Sequence, residues 1–245
     1  MVAVRSSLYL VFLFATILLW SLPLSLIGWL LPQGILGRIG RLWGRLNLRA
    51  LARICGLSYR IAGADHLRHE PCIVLCKHQS AWETIALRAL LSPEHTWVLK
   101  RELLWIPFFG WGIAPFRPIA IDRKAGRRAM RQVLEEGIRA LTHGRTVVIF
   151  PEGTRVAPGQ RRRYGLGGAL LAERSGFPVI PIAHNAGVFW RRRDLRKYPG
   201  VVDVVIGAPL RTEGLAATEI NRQVEEWIET TVASLPGERS LTPAR

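Results

Sequence analysis

Cys72 to Leu91 read CIVLCKHQSAWETIALRALL. A short apolar β-type run, Cys72 to Cys76, passes through a polar loop directly into a helical pattern, Ala81 to Leu91, with Ser80 placed as its N-cap. The same alternation extends outward on both sides. Further strands are predicted at Tyr59 to Ala62, Thr96 to Leu99, Thr146 to Phe150, Val179 to Ile182 and Val201 to Ile206, and further helices at Gly126 to Leu141, Gly168 to Arg174 and Ala217 to Ala233. Strands alternating with helices imply an α/β fold, a mostly parallel mixed sheet covered by helices. Pro118 to Arg123 forms a short extended run that delivers Arg123 at its end.

The whole chain of 245 residues suits one domain, or one domain plus an appendage. Apolar residues make up 49 %, which excludes a disordered chain although 34 Lys and Arg against 18 Asp and Glu leave a net charge of +16. Cys55, Cys72 and Cys76 are an odd set, which argues against a disulfide-stapled secreted module and for reduced thiols on a cytosolic face. The charge implies an anionic partner: an anionic membrane surface, a phosphorylated substrate, an acidic protein or nucleic acid. No nucleic-acid recognition pattern is present, so no nucleic-acid partner is expected.

Leu8 to Leu31 contains 24 residues without a charge, and about 20 suffice to cross the hydrocarbon core. The stretch exceeds a signal-peptide core and no A-x-A site follows, so membrane attachment is the expectation. Two modes are open: a crossing, or a bend at Pro23 into a hairpin within one leaflet. Only Arg5 precedes the stretch, whereas Arg38, Arg41, Arg45, Arg49 and Arg53 follow, which places the body of the protein in the cytoplasm. Those arginines share one side of a helix over Ile35 to Cys55, opposite Ile39, Leu42, Leu46 and Ile54, as on anionic headgroups. Expected boundaries are a membrane anchor and basic helix at 1–56, a catalytic-type domain at 57–235 and a polar tail at 236–245.

Chemistry is expected at the carboxyl ends of the strands, where open α/β sheets place their ligands. His78 and Glu83 are five apart and meet only if His78 lies in the loop while Glu83 sits in the first helical turn. They form a catalytic dyad, or Ser80-x-x-Glu83 is simply a capping box; spacing leaves both open. Phe150 to Arg155, FPEGTR, is a strand-end turn in which Arg155 and main-chain donors could hold a phosphate, with Glu152, Gly153 and Thr154 in the turn. Leu103 to Trp111 is an aromatic-rich run without helical or strand period, either a core plug or a surface for lipid. Cys76 reads as a small buried residue rather than a nucleophile. No zinc-type pattern occurs, and His66 and His69 read as loop, so no metal is expected. Neither a serine-esterase elbow nor a P-loop is present.

Together these residues resemble the glycerolipid acyltransferase family, in particular its bacterial 1-acylglycerol-3-phosphate acyltransferases. The likeness runs from about Leu57 to Leu210 through four blocks in order: His78 to Glu83 as H-x4-D with a longer carboxylate, the stretch ending at Asp122-Arg123 with Lys100 before it, Phe150 to Arg155 in full, and Val179 to Gly187. A lysine common after the third block is absent from Tyr164 to Gly168. The resemblance implies His78 as general base with Glu83 orienting it, and Lys100, Arg123 and Arg155 as acceptor-phosphate ligands. The implied acceptor is lysophosphatidic acid and the implied co-substrate is acyl carrier protein or coenzyme A carrying the acyl group, with no cofactor. The implied location is the bacterial cytoplasmic membrane, with the catalytic domain on the cytoplasmic face. Two other functions fit the residues: acylation of another lyso-lipid such as a lyso-ornithine lipid, and a non-catalytic protein binding anionic lipid or an acidic partner. The basic stretch Arg191 to Arg196 favours the last.

Overall fold

The structure, a computed structural model, describes residues 1–68 and 71–237. In chain order its elements are α1 (Val2–Ile27), α2 (Gln33–Cys55), β1 (Leu57–Ala62), β2 (Ile73–Cys76), α3 (Trp82–Leu90), β3 (His95–Lys100), α4 (Phe109–Ile113), β4 (Ile119–Ile121), α5 (Arg127–Thr142), β5 (Thr146–Ile149), α6 (Gly167–Ser175), β6 (Val179–His184), α7 (Ala186–Phe189), β7 (Gly200–Ile206) and α8 (Ala217–Ser234). Seven strands form one sheet in the order β1-β7-β6-β2-β5-β3-β4. All neighbours are parallel except β6 and β7. The mixed, mostly parallel sheet expected from the sequence is therefore present, and the extended run 119–121 is its edge strand. The short helices α4 and α7 were not anticipated, because four or five residues display no helical period.

Both faces of the sheet are covered at its centre, so β2, β5 and β6 are buried at every position, whereas β1 and β3 are partly exposed. Val74, Cys76 and Val148 pack toward α2 and α3, while Ile73, Leu75 and Val147 pack toward α5, α6 and α8. All three cysteines are buried and none is in a disulfide among the described residues.

The amino-terminal segment bears on both modes that the sequence left open. Pro23 lies inside α1, which continues to Ile27, and the chain reverses at residues 28–32 instead. The reversal needs Gly28, because a Cβ there would come 2.9 Å from Pro115 Cβ. By length and composition Val2–Leu30 could cross a membrane, yet both ends of α1 are seated on the domain. Ser6 Oγ accepts from the Lys197 amide at 2.8 Å and Tyr9 meets Trp190 edge-on near the start, while Gly112 of α4 abuts Ser21 near the end. The helix therefore lies along the domain, with Leu8, Val11, Phe14, Leu18 and Leu22 exposed.

In α2 the buried stripe is not Ile39, Leu42, Leu46 and Ile54. Leu36, Gly37, Gly40, Gly44, Leu48 and Leu51 are buried instead, and Leu42 is exposed. Glycine carries the contact because the helices touch backbone to backbone: a Cβ on Gly44 would lie 3.0 Å from the Ala89 nitrogen and the Ile85 oxygen of α3. Arg38, Arg45, Arg49 and Arg53 are exposed, whereas Arg41 donates to the Leu91 carbonyl. Of the predicted tail, residues 238–245 lie outside the described residues, as does His69.

Candidate active site

Strands β6, β2, β5, β3 and β4 are consecutive neighbours and mutually parallel, so their carboxyl ends open on one edge. That edge collects the Lys77–Ala81 loop, the Phe150–Arg155 turn, Lys100, Arg123 and the segment after His184. Residues far apart in sequence meet because the sheet aligns them.

His78 sits in the loop and Glu83 in the first turn of α3, with Nδ1 to Oε1 at 2.8 Å. The same Oε1 accepts from the Gln79 amide at 2.8 Å and the Ser80 amide at 2.7 Å, while Ser80 Oγ accepts from Trp82 N at 3.1 Å. Cap and imidazole partner are thus one atom. The N-cap of α3 is Ala81 and not Ser80, so it is the Gln79 and Ser80 amides, more than a regular capping box, that hold the carboxylate still for the histidine. Glu83 is 1 % exposed. Burial pushes its carboxyl up, but the His184 ring and hydrogen bonds from His78 and Ser80 outweigh this and hold it below the usual carboxylate range. With Nδ1 committed to Glu83, the network assigns Nε2 as the free ring nitrogen of His78. The ring stacks on Phe150 at 4.0 Å.

The loop's backbone is pinned from three sides. Lys77 N donates to the Ile182 carbonyl at 2.9 Å, Val156 N to the His78 carbonyl at 2.8 Å, and His78 N to Glu152 Oε1 at 3.2 Å. His184 accepts from Ala186 N at Nδ1 (3.2 Å), which leaves Nε2 to donate to the Lys77 carbonyl at 2.8 Å. Burial lowers the pKa of His184, in keeping with this neutral tautomer. Gly187 N donates to Gln79 Oε1 at 3.2 Å. The roles of Lys77, Gln79 and His184 were missed: a buried lysine and a loop-bracing glutamine look like solvated residues in sequence, and His184 carried no signal beyond its place in the fourth block.

His78, Lys100, Arg123 and Arg155 line one cavity of about 360 Å³. Its walls are mostly apolar and include Leu13, Ile17, Trp20 and Leu24 of α1. The amino-terminal helix is therefore part of the site as well as its neighbour. Arg123 Nη1 donates to the Gly153 carbonyl, and Gly153 adopts φ +68°, which a side chain would strain. Lys100 Nζ lies 3.0 Å from Glu102 Oε1. Glu152, Gly153 and Thr154 are not among the lining residues; Glu152 is buried behind the turn, where burial raises its carboxyl against the pull of Lys77 and the His78 amide. At the rim, Arg192 Nη1 donates to the Arg155 carbonyl at 3.0 Å, which brings the Arg191–Arg193 run to the cavity mouth. Of the run Leu103 to Trp111, Trp105, Ile106 and Trp111 are exposed, while Leu103 and Phe109 line the cavity and α4 packs on α1. Among the described residues no cluster of three or more His, Cys, Asp or Glu is placed to hold a metal ion.

A neutral imidazole tethered through Nδ1 to a buried carboxylate can take a proton at Nε2, and three cations beside it suit an anionic group. The profile of the acyltransferase family matches residues 58–185, more than half of the chain. A Pseudomonas aeruginosa 1-acyl-sn-glycerol-3-phosphate acyltransferase is 39 % identical over 95 % of this chain and 92 % of its own. The Homo sapiens 1-acyl-sn-glycerol-3-phosphate acyltransferase alpha is 29 % identical over 72 % of this chain and 62 % of its own. The crystal structure of the 1-acyl-sn-glycerophosphate (LPA) acyltransferase PlsC from Thermotoga maritima superposes with a TM-score of 0.78 over 100 % of both chains at 20 % identity, a likeness of fold. On the profile match and the close relative, this chain belongs to the acyltransferase family.

Proposed function

We propose that the protein transfers a fatty acyl group from an acyl thioester to the free sn-2 hydroxyl of 1-acylglycerol-3-phosphate, giving phosphatidic acid. The observation that carries this reading is the His78–Glu83 pair opening on an apolar cavity whose polar rim is Lys100, Arg123 and Arg155. His78 Nε2 takes the hydroxyl proton as the oxygen attacks the thioester carbonyl. Glu83 holds the tautomer and stabilises the imidazolium. On collapse of the tetrahedral intermediate the C–S bond breaks, and the imidazolium returns the proton to the departing thiolate. The amides of His78, Gln79 and Ser80 are committed to Glu152 and Glu83, so the oxyanion takes its donors elsewhere.

Lys100, Arg123 and Arg155 bind the acceptor phosphate, with Glu152, Gly153 and Thr154 forming the turn that presents Arg155. The donor is acyl carrier protein or coenzyme A; both are polyanionic, and the arginines at the mouth suit either. Residues 1–56 attach the protein to an anionic membrane, and 57–235 carry the chemistry. The exposed apolar face of α1, with reduced cysteines, supports a place on the cytoplasmic face of the bacterial inner membrane. Purified protein mixed with acyl thioesters and a panel of lyso-lipids, followed by thiol release, tests the reading. Preference for 1-acylglycerol-3-phosphate supports it, preference for a lyso-ornithine lipid reassigns the acceptor, and absence of release with every acceptor rejects catalysis.

A further inference from the structure

Lys77, the chain neighbour of His78, has a fully buried side chain. Its Nζ lies 2.5 Å from Glu229 Oε1 and 3.3 Å from Glu152 Oε1. Glu229 belongs to α8, well beyond residue 185 where the family match ends. Tyr164 Oη donates to the same Glu229 oxygen at 2.8 Å. Glu152 Oε1 in turn accepts from the His78 amide at 3.2 Å, whereas its Oε2 is buried without a partner. A buried ammonium is unfavourable unless paired, and here one cation is shared by two carboxylates from different parts of the chain.

We propose that Lys77 and Glu229 are positioning residues: α8 holds the Lys77 ammonium through Glu229, and that ammonium keeps Glu152 where it accepts the amide of His78, so that the imidazole is presented from a fixed backbone. The other ties on this loop come from main-chain groups, from Glu83 and His184, and from the loop's own Gln79 side chain; Glu152 is the side-chain link between the Phe150–Arg155 turn and the histidine. The proposal rests on the reading of His78 as the base. It adds to that reading a part of the chain, the carboxyl-terminal helix, that none of the acyltransferase motifs includes.

The electrostatics of the cluster give a signature that a purely structural role lacks. The titratable groups around Glu152 are Lys77, Cys76 and His78 from β2 and its loop, Tyr164 before α6, and Glu229 of α8 with Arg161 at 3.9 Å from it. Lys77→Met removes the cation that stabilises the Glu152 carboxylate. Glu229→Gln removes a neighbouring negative charge and weakens the anchor on α8, so that the ammonium and Glu152 can move as a pair away from the His78 amide. The two variants therefore shift Glu152 in opposite directions: its pKa rises in the first and falls in the second.

The test compares Lys77→Met, Glu229→Gln and Glu229→Asp with wild type, each also in a Glu152→Gln background. Expected for Glu229→Gln are a fall in kcat of about tenfold with both KM values nearly unchanged, partial recovery in Glu229→Asp, and an acid limb of the kcat profile moved to lower pH. Lys77→Met moves that limb to higher pH, and both shifts vanish in the Glu152→Gln background. Should Lys77→Met fail to fold, the Glu229 pair still decides. Hydrogen exchange at the His78 amide, which needs no turnover, is expected to speed up about tenfold in Glu229→Gln. Wild-type kcat, pH profile and exchange in folded Glu229→Gln overturn the proposal. Limb shifts that persist without Glu152 overturn it too, because the charges then act on His78 directly. Inactivity of the wild type sinks the assignment of His78 instead, and the exchange measurement still judges the link.

Discussion

Two loops leave the same edge of the sheet and solve opposite problems. The loop after β2 puts polar residues inside: Lys77, Gln79, Ser80 and Glu83 are all buried. The segment after β3 puts apolar residues outside, with Trp105 69 % and Trp111 46 % exposed and Phe108 at φ +61°. Hydrogen bonds dictate the first conformation from within, and nothing soluble is needed to complete it. The second leaves apolar area uncovered next to the exposed leucines of α1, an arrangement that water disfavours and a lipid surface stabilises. The contrast shows a site whose chemistry is internally fixed while its access is set by the surrounding medium.

If the buried loop is a catalytic frame, His78→Ala lowers kcat by about 10² or more and leaves the protein folded with a modest fall in melting temperature, since the stack on Phe150 is lost while Glu83 keeps its two amide donors. Steady-state rates and a thermal melt check both halves; a variant that keeps a tenth of the rate removes His78 from the mechanism.

Glu83→Gln divides the cap from the charge. Its amide oxygen still accepts from Gln79 and Ser80, so α3 begins as before, but the imidazolium loses its counter-charge, and kcat drops roughly 10²-fold while Glu83→Asp keeps part of it. The carboxyl of Glu83 is held low, so its ionised form adds stability above about pH 4.3, the unfolded value, and that contribution is lost as pH falls through the lower folded value. The Gln variant should show a flatter acid limb of thermal stability. Near-wild-type activity in a stable Gln variant would reduce Glu83 to a cap.

Arg155→Ala and Arg123→Ala each remove a charge-assisted contact at the cavity rim. A rise of about tenfold or more in the acceptor KM, with the donor KM little changed, is expected from initial rates. Equal effects on both substrates place the arginines on the donor instead.

The smallest effect belongs to the outer loop. Trp105→Ser with Trp111→Ser should weaken sedimentation with anionic vesicles several-fold, leaving turnover of detergent-dispersed substrates and the melting temperature unchanged. Deleting residues 1–32 is a poorer probe, because it strips Leu13, Ile17, Trp20 and Leu24 from the cavity wall along with the membrane contact.

Periodicity and turn chemistry were enough for the sheet class, the positions of most strands and helices, and the FPEGTR turn, because each is a local property of a few adjacent residues. They were enough as well to pair Glu83 with Ser80 at the start of α3 and to place His78 beside them, although the N-cap itself is Ala81. What the local pattern left open was whether one carboxylate could do both; the loop geometry decided it, with Oε1 receiving His78, Gln79 and Ser80 together. The bend at Pro23, one of the two modes that the sequence left open, does not form, for the converse reason. A proline costs a helix one hydrogen bond and packing clashes, yet α1, packed on α2 and α4, continues past it to Ile27. The glycine stripe of α2, the wall that α1 adds to the cavity, and the Lys77–Glu229 pair all join residues distant in sequence. Only the folded chain decides such contacts, because burial and close approach depend on which surfaces meet, and no periodicity within a single element encodes its partner.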